Sequence, residues 1–149
     1  MDPTPEDERF TRRAIELARE SVEEGNRPFG SLLVHDGEVV MEAKNSVLTE
    51  NDVRRHPELH LAYRARAELD EGVRRETTMY TSTEPCPMCA GGLYYAGLDR
   101  VVYSVSGPEI GEFTGREPPV RAETILEGVT RVEGPVLNEE GRAVHEAFW

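Results

Sequence analysis

The sequence predicts an α/β fold in which a mixed sheet is covered by helices on both faces. Three observations carry that expectation. Two apolar runs flank Asp36-Gly37 and read as a β-hairpin. Beyond the hairpin, helical and strand patterns alternate, as they do where strands are joined by helices packed on a sheet. At 149 residues, 38% of them apolar, the chain is long enough for one core and too short for two, so a single domain over residues 1–149 is expected.

The elements follow in order. "TPEDERFTRRAIELARESVEEG" sets Phe10, Ala14, Leu17, Ala18 and Val22 at helical spacing, with Thr4 as N-cap, Pro5 in the first turn and Gly25 as the stop. "RPFGSLLVHDGEVVMEAKN" holds the hairpin, and the polar "SVLTENDVRR" reads as a loop. A helix is expected from Pro57 to about Glu71, with Leu59, Ala62, Tyr63, Arg66 and Leu69 on one face. "TTMYTST" is a strand that runs into "EPCPMCAGGLYYAGL", a short helix, and "DRVVYSV" is the next strand. "SGPEIGEFTGREPPV", rich in Gly and Pro, reads as irregular. The last third reads as a helix (Arg121 to Glu127), a strand (Val129 to Val136) and a terminal helix ending "HEAFW".

Charge narrows the partners. There are 29 acidic residues against 17 basic, a net charge of -12, and Lys44 is the one lysine. Such an excess repels phosphate backbones and disfavours nucleic acid as a partner, although high salt screens the repulsion. Abundant Glu beside a single Lys also has the look of a salt-adapted surface. No run approaches the roughly twenty apolar residues of a membrane helix, and "MDPTPEDERF" lacks the apolar core of a secretory signal. A cytoplasmic protein with no membrane partner is expected. The two cysteines, Cys86 and Cys89, stand three apart, a spacing that suits metal binding or redox chemistry better than a disulfide scaffold.

The chemistry concentrates at "RRHPELH", Arg54 to His60. Two histidines four apart on one helix face can share a metal, but Pro57 opposes that here. Proline pushes the preceding residue out of helical angles and is itself comfortable at the first helical position. His56 is then the N-cap and His60 lies one turn in, so the two do not stack. With His56 outside the helix, it and Glu58 can face one pocket in front of a positive helix end. Pro85 and Pro87 mark a second helix start that sets Cys86 and Cys89 across one turn. His56, Cys86 and Cys89 would give zinc three ligands and leave the fourth tetrahedral position to water, with Glu58 as proton shuttle. The competing readings are a closed zinc site with His60 as fourth ligand and a redox Cys-x-x-Cys pair, which leaves His56 and Glu58 unexplained.

"HPE", followed thirty residues later by "PCPMC", resembles the zinc-dependent cytidine deaminase-like superfamily, whose signature is H-x-E…P-C-x-x-C. "RPFGSLLVHDGEVV" is similar to the family's first hairpin, and "TSTEPCPMCAGGLYYAGLDRVVYSV" to its second zinc half-site and following strand. The resemblance implies a three-layer α/β/α sandwich with a five-stranded mixed sheet. It implies hydrolytic deamination of a ring carbon bearing an amino group, with His56, Cys86 and Cys89 holding Zn2+ and Glu58 as the catalytic shuttle. It also implies that Asn45 hydrogen-bonds the base or sugar, that Phe29 and Gly30 line the pocket, and that relatives form homodimers. Pro57 departs from the commoner alanine at its position, and residues 106–119 match no subfamily pattern.

For the substrate, a free base or nucleoside of guanine or cytosine type is expected, with a tRNA adenosine deaminase as the alternative. The pairs Arg54-Arg55, Arg64/Arg66 and Arg74-Arg75 would have to make the RNA patch, while "NEEGRAVHEAFW" is acidic and aromatic. A zinc- and ligand-binding protein without turnover is the remote alternative, opposed by Glu58. Phe148 and Trp149 at the chain end are candidates for a lid over a flat base. Glu84 reads as a local partner of the zinc helix, and "AGGLYYAG" as a flat contact surface for a homodimer.

Overall fold

Asp36 and Gly37 both take positive φ (53° and 77°) and turn the chain between β1 (Gly30–His35) and β2 (Glu38–Lys44). Two successive left-handed residues are what a two-residue hairpin turn with the native strand twist demands. The computed structural model describes residues 1–149. On its other edge β1 pairs antiparallel with β3 (Thr77–Thr83); β3 runs parallel to β4 (Arg100–Val105), and β4 parallel to β5 (Arg131–Glu133). The result is one five-stranded mixed sheet in the order β2-β1-β3-β4-β5.

Alternate residues of the central strands fill two cores. Leu33, Met79 and Val101 point toward α3 (Pro57–Glu68) and α5 (Pro87–Ala96), meeting Leu61, Ala62, Ala65, Ala90 and Leu93. Leu32, Val34, Tyr80 and Val102 point the other way, onto Phe10, Ala14 and Leu17 of α1 (Pro5–Glu23). The three-layer sandwich is therefore present, with α8 (Asn138–Phe148) packed beside α1. A carboxylate ties the α1 layer to the sheet. Asp7 is buried and accepts bonds from Tyr80 Oη at 2.8 Å and from the Arg100 guanidinium at 3.1 and 3.2 Å. No helix is long and apolar enough to cross a membrane.

Several elements differ from their sequence expectation. The helix from Pro57 ends at Glu68, because Leu69 turns to extended angles and packs against the core; a short helix, α4 (Glu71–Arg74), follows. The stretch read as a loop contains α2 (Val47–Glu50) and a 3-10 turn (Val53–Arg55). Asn26 Oδ1 accepts the N–H groups of Leu48 and Thr49 at 3.2 and 3.1 Å, a cap supplied from a distant part of the chain. The stretch read as irregular holds α6 (Gly107–Thr114), opened by a capping box of Ser106 and Glu109. The next helix is only α7 (Ala122–Ile125), the chain bending so that Leu126 is buried. β5 covers three residues rather than eight: Gly134-Pro135 interrupts the ladder, and Val136 N–H makes one more bond, to Tyr103 O at 3.0 Å.

Candidate active site

The N-termini of α3 and α5 meet where β3 ends. His56 is the N-cap of α3 with extended angles (φ -65°, ψ 130°), and Pro57 takes the first helical position. Cys86 is the N-cap of α5, again followed by proline. The helices approach closely because Gly92 faces Leu59: a Cβ there would stand 2.7 Å from Leu59 Cδ1. His56 Nδ1 lies 3.8 Å from Cys86 Sγ and 3.6 Å from Cys89 Sγ, and one ligand atom from each of the three residues falls within 4.8 Å of the others.

These distances suit zinc. Around a tetrahedral ion with bonds of about 2.3 Å to sulfur and about 2.0 Å to nitrogen, such ligands stand roughly 3.5 Å apart. The protonation of the cluster suits it too. The hydrogen bond from Cys89, opposed by burial and reinforced by His56, lowers the Cys86 thiol to about 4. The same bond and burial push Cys89 up. One thiolate is thus ready before any ion arrives, and an ion displaces the remaining proton. His60 lies away from the cluster, in an outer groove lined by Asp52, Arg54, Arg55 and Tyr63, with Arg55 Nη1 3.3 Å from its ring nitrogens. The closed four-ligand site is therefore not formed. The donor set is two sulfurs and one imidazole, a zinc set with an open corner.

Glu58 sits one helical residue past Pro57 and is only 5% exposed. Its Oε1 accepts from Ser31 Oγ at 3.0 Å and Thr81 Oγ1 at 2.9 Å. Those hydroxyls come from neighbouring strands at a paired register position, Ser31 opposite Thr81, and lie 2.7 Å apart. Both side-chain bonds fall on Oε1 and none on Oε2. Burial, and then the charge on Cys86, push the Glu58 pKa up. A buried carboxyl held by one oxygen and perturbed toward the neutral form is equipped to take up and release a proton.

A cavity of about 100 Å³ opens onto Glu58, His56 and Cys86 and is walled by Phe29, Thr83, Ile110 and Pro118. Glu84 also touches it, but both its oxygens are engaged: they accept from Gly107 N–H (3.0 Å), Ala122 N–H (3.0 Å) and the Arg121 guanidinium (2.8 Å). Glu84 thus ties the end of β3 to the starts of α6 and α7, a wider role than a local bond to the zinc helix.

The remaining expected contacts are distributed unevenly. Phe29 lines the cavity. Gly30 does not; it lies under α1, where a Cβ would stand 2.5 Å from Leu17 Cβ and 2.6 Å from Ala14 O. Asn45 is buried beside the Phe29 backbone, its N–H bonded to Phe29 O at 2.9 Å. Its Oδ1 accepts from Val47 N–H at 3.1 Å, and its Nδ2 has no acceptor within the chain. Trp149 is 45% exposed and outside the cavity wall, its indole N–H turned back to His145 Nδ1 at 3.0 Å. Ser31, Thr81 and Thr83 were not singled out from the sequence. For Thr81 and Thr83 the signal was present in "TTMYTST", where they stand two apart on one face of a strand leading into the cysteines; Ser31, in "GSLLV", carried none.

The family model for the cytidine and deoxycytidylate deaminase zinc-binding region matches residues 4–105. A probable cytosine deaminase of Schizosaccharomyces pombe is 32% identical over 94% of this chain and 90% of its own length. A tRNA-specific adenosine deaminase of Bacillus subtilis is 31% identical over 97% of this chain and 89% of its own. The X-ray structure of guanine deaminase from Bacillus subtilis superposes with a TM-score of 0.66 at 36% identity, over 74% of this chain and 71% of that one.

Proposed function

Because the chain belongs to the cytidine and deoxycytidylate deaminase zinc-binding family and is a hydrolytic C–N deaminase, we propose that its substrate is a free nucleobase or nucleoside of guanine or cytosine type, which loses its exocyclic amino group as ammonia. The observation that carries the reading is the small cavity that brings Glu58 beside His56 and Cys86 among the walls of Phe29, Ile110 and Pro118. His56, Cys86 and Cys89 would hold the zinc, which when bound supplies a Lewis acid that makes water nucleophilic at neutral pH. Ser31 and Thr81 hold one oxygen of Glu58, leaving the other to carry a proton toward the ring and then to the departing nitrogen. Phe29 offers a flat face to the base. Asn45 Nδ2, the donor without an acceptor, is assigned to the base or sugar. Trp149 enters the same site indirectly.

The arginines argue against tRNA. Arg54 pairs with Asp52 at 3.0 Å, Arg55 with Glu50 at 3.4 Å, Arg64 with Glu68 at 3.0 Å and Arg75 with Glu71 at 2.7 Å. Arg74 is buried and spent on the carbonyls of Ala96 and Leu69. A phosphate track needs free cations; of these six arginines four sit beside an acid, Arg74 is spent on carbonyls, and Arg66 alone is exposed without an acid partner. Zinc-loaded protein offered guanine, cytosine, cytidine, adenosine and tRNA is expected to release ammonia from a base or nucleoside. Turnover confined to tRNA overturns the reading.

A homodimer and a reducing, cytoplasmic setting complete the proposal. Tyr63 of α3 and Tyr95 of α5, on helices packed together, are 70% and 74% exposed, and Met88 and Tyr94 extend the apolar surface. Sedimentation should give twice the chain mass and Tyr95→Glu the single mass. The thiol ligands need a reducing compartment to stay unpaired.

A further inference from the structure

His145 is one of the largest buried side chains, 1% exposed, on α8, a helix that supplies no residue to the cavity wall. Its ring lies between Phe29, at 5.6 Å between centroids, and Phe113, at 5.5 Å and nearly parallel. Both ring nitrogens are occupied. Trp149 Nε1 meets Nδ1 at 3.0 Å, and Thr83 Oγ1 meets Nε2 at 3.0 Å.

An indole N–H can only donate, so Nδ1 must accept and carries no proton. Burial, and then Arg142, lower the His145 pKa to about 4, which keeps the imidazole neutral at physiological pH. A neutral imidazole has one proton, and it is therefore on Nε2. Nε2–H then donates to Thr83 Oγ1, and the Thr83 hydroxyl is an acceptor in that bond. Its own proton has no acceptor within the chain, His145 being the sole partner of Oγ1. Thr83 lines the cavity with Glu58 and Cys86.

We propose that Thr83 binds substrate by donating its hydroxyl proton to an acceptor atom of the base, a carbonyl oxygen or an unprotonated ring nitrogen, and that His145 and Trp149 are positioning residues that fix the direction of that bond from the chain's C-terminal helix. The inference rests on the base-binding reading above and deepens it. It also assigns Trp149 a part other than stacking: its indole N–H selects the His145 tautomer. A site built around a donor rejects ligands that lack the matching acceptor more strongly than an apolar wall can.

The test uses zinc-loaded full-length protein, with calorimetric binding of guanine, cytosine, guanosine and cytidine, steady-state deamination of the same four, and nitrogen NMR of the His145 ring. Thr83→Val should weaken binding, and kcat/KM through KM, by about tenfold. Thr83→Ser, which restores the hydroxyl, should stay within about twofold of wild type. Trp149→Phe removes the indole donor; it should weaken binding a few-fold and change the His145 signals from a single Nε2–H tautomer to a mixture. Equal binding by wild type and Thr83→Val, or an Nδ1–H tautomer in the wild type, overturns the proposal. A wild type that binds these bases in a Thr83-dependent way yet frees no ammonia overturns the proposed function and upholds this inference. A wild type that binds none of the four overturns both.

Discussion

Glu58→Gln isolates the proton-carrying role proposed for this carboxyl from everything else in the site. Gln keeps the shape, and its side-chain oxygen can still accept from Ser31 and Thr81, which stand 3.0 and 2.9 Å from Glu58 Oε1. The three ligand atoms at His56, Cys86 and Cys89 are untouched, so zinc content should not change. No other carboxylate can take over, since both oxygens of Glu84 are bonded to Arg121, Gly107 and Ala122. The whole contribution of general acid–base transfer should therefore vanish, on the order of 10²–10⁴-fold in kcat, or about 3–5 kcal/mol on the barrier. Stability should hold or rise, because burial disfavours the charged carboxylate and a neutral amide removes that cost. The assay is ammonia release alongside zinc content by emission spectroscopy and a melting curve. Full zinc, an unchanged Tm and activity within about tenfold of wild type would refute the shuttle role.

Three other perturbations reach different parts of the argument. Cys89→Ser removes a buried sulfur from the three-ligand set, and zinc affinity should fall by well over tenfold when titrated against a competing chelator. Asp7 is held at about 2, against 3.8 for an unperturbed Asp, because bonds from Arg100, the Thr4 N–H and Tyr80 outweigh burial. A depressed carboxylate stabilises the fold above its unfolded value and loses that contribution as pH falls from near 4 toward 2; denaturant curves should show about 2 kcal/mol disappearing there, and Asp7→Asn should show a smaller loss. Gly30→Ala drives a methyl against Leu17 Cβ and the α1 backbone at Ala14 and Ala18. It should destabilise by about 1–3 kcal/mol, and an unchanged Tm would mean that α1 sits elsewhere.

The convergence of His56, Cys86 and Cys89, with Glu58 beside them, was legible because it depends on local backbone rules. Proline at the first helical position forces the residue before it out of the helix, and that places His56 and Cys86 as N-caps wherever the two helices lie. The hairpin at Asp36-Gly37 was legible for the same reason, since two left-handed residues admit few alternatives. Where expectation and structure parted, distant contacts outweighed local pattern. Asn26 caps a helix in a stretch that reads as loop, and Leu69 leaves its helix to reach the core. The Gly and Pro content around α6 concealed a capping box that was in plain view at Ser106 and Glu109.

From the sequence alone came the donor types, their order along the chain and the caps that turn them to one side, because these follow from bonding within a few residues. Only the tertiary structure decided which hydroxyls hold Glu58, that Glu84 is spent on the starts of α6 and α7, and that Trp149 reaches His145 rather than the cavity. Those outcomes depend on how strands and helices far apart in sequence come to pack. Their energies belong to pairs of elements, and no local pattern carries them.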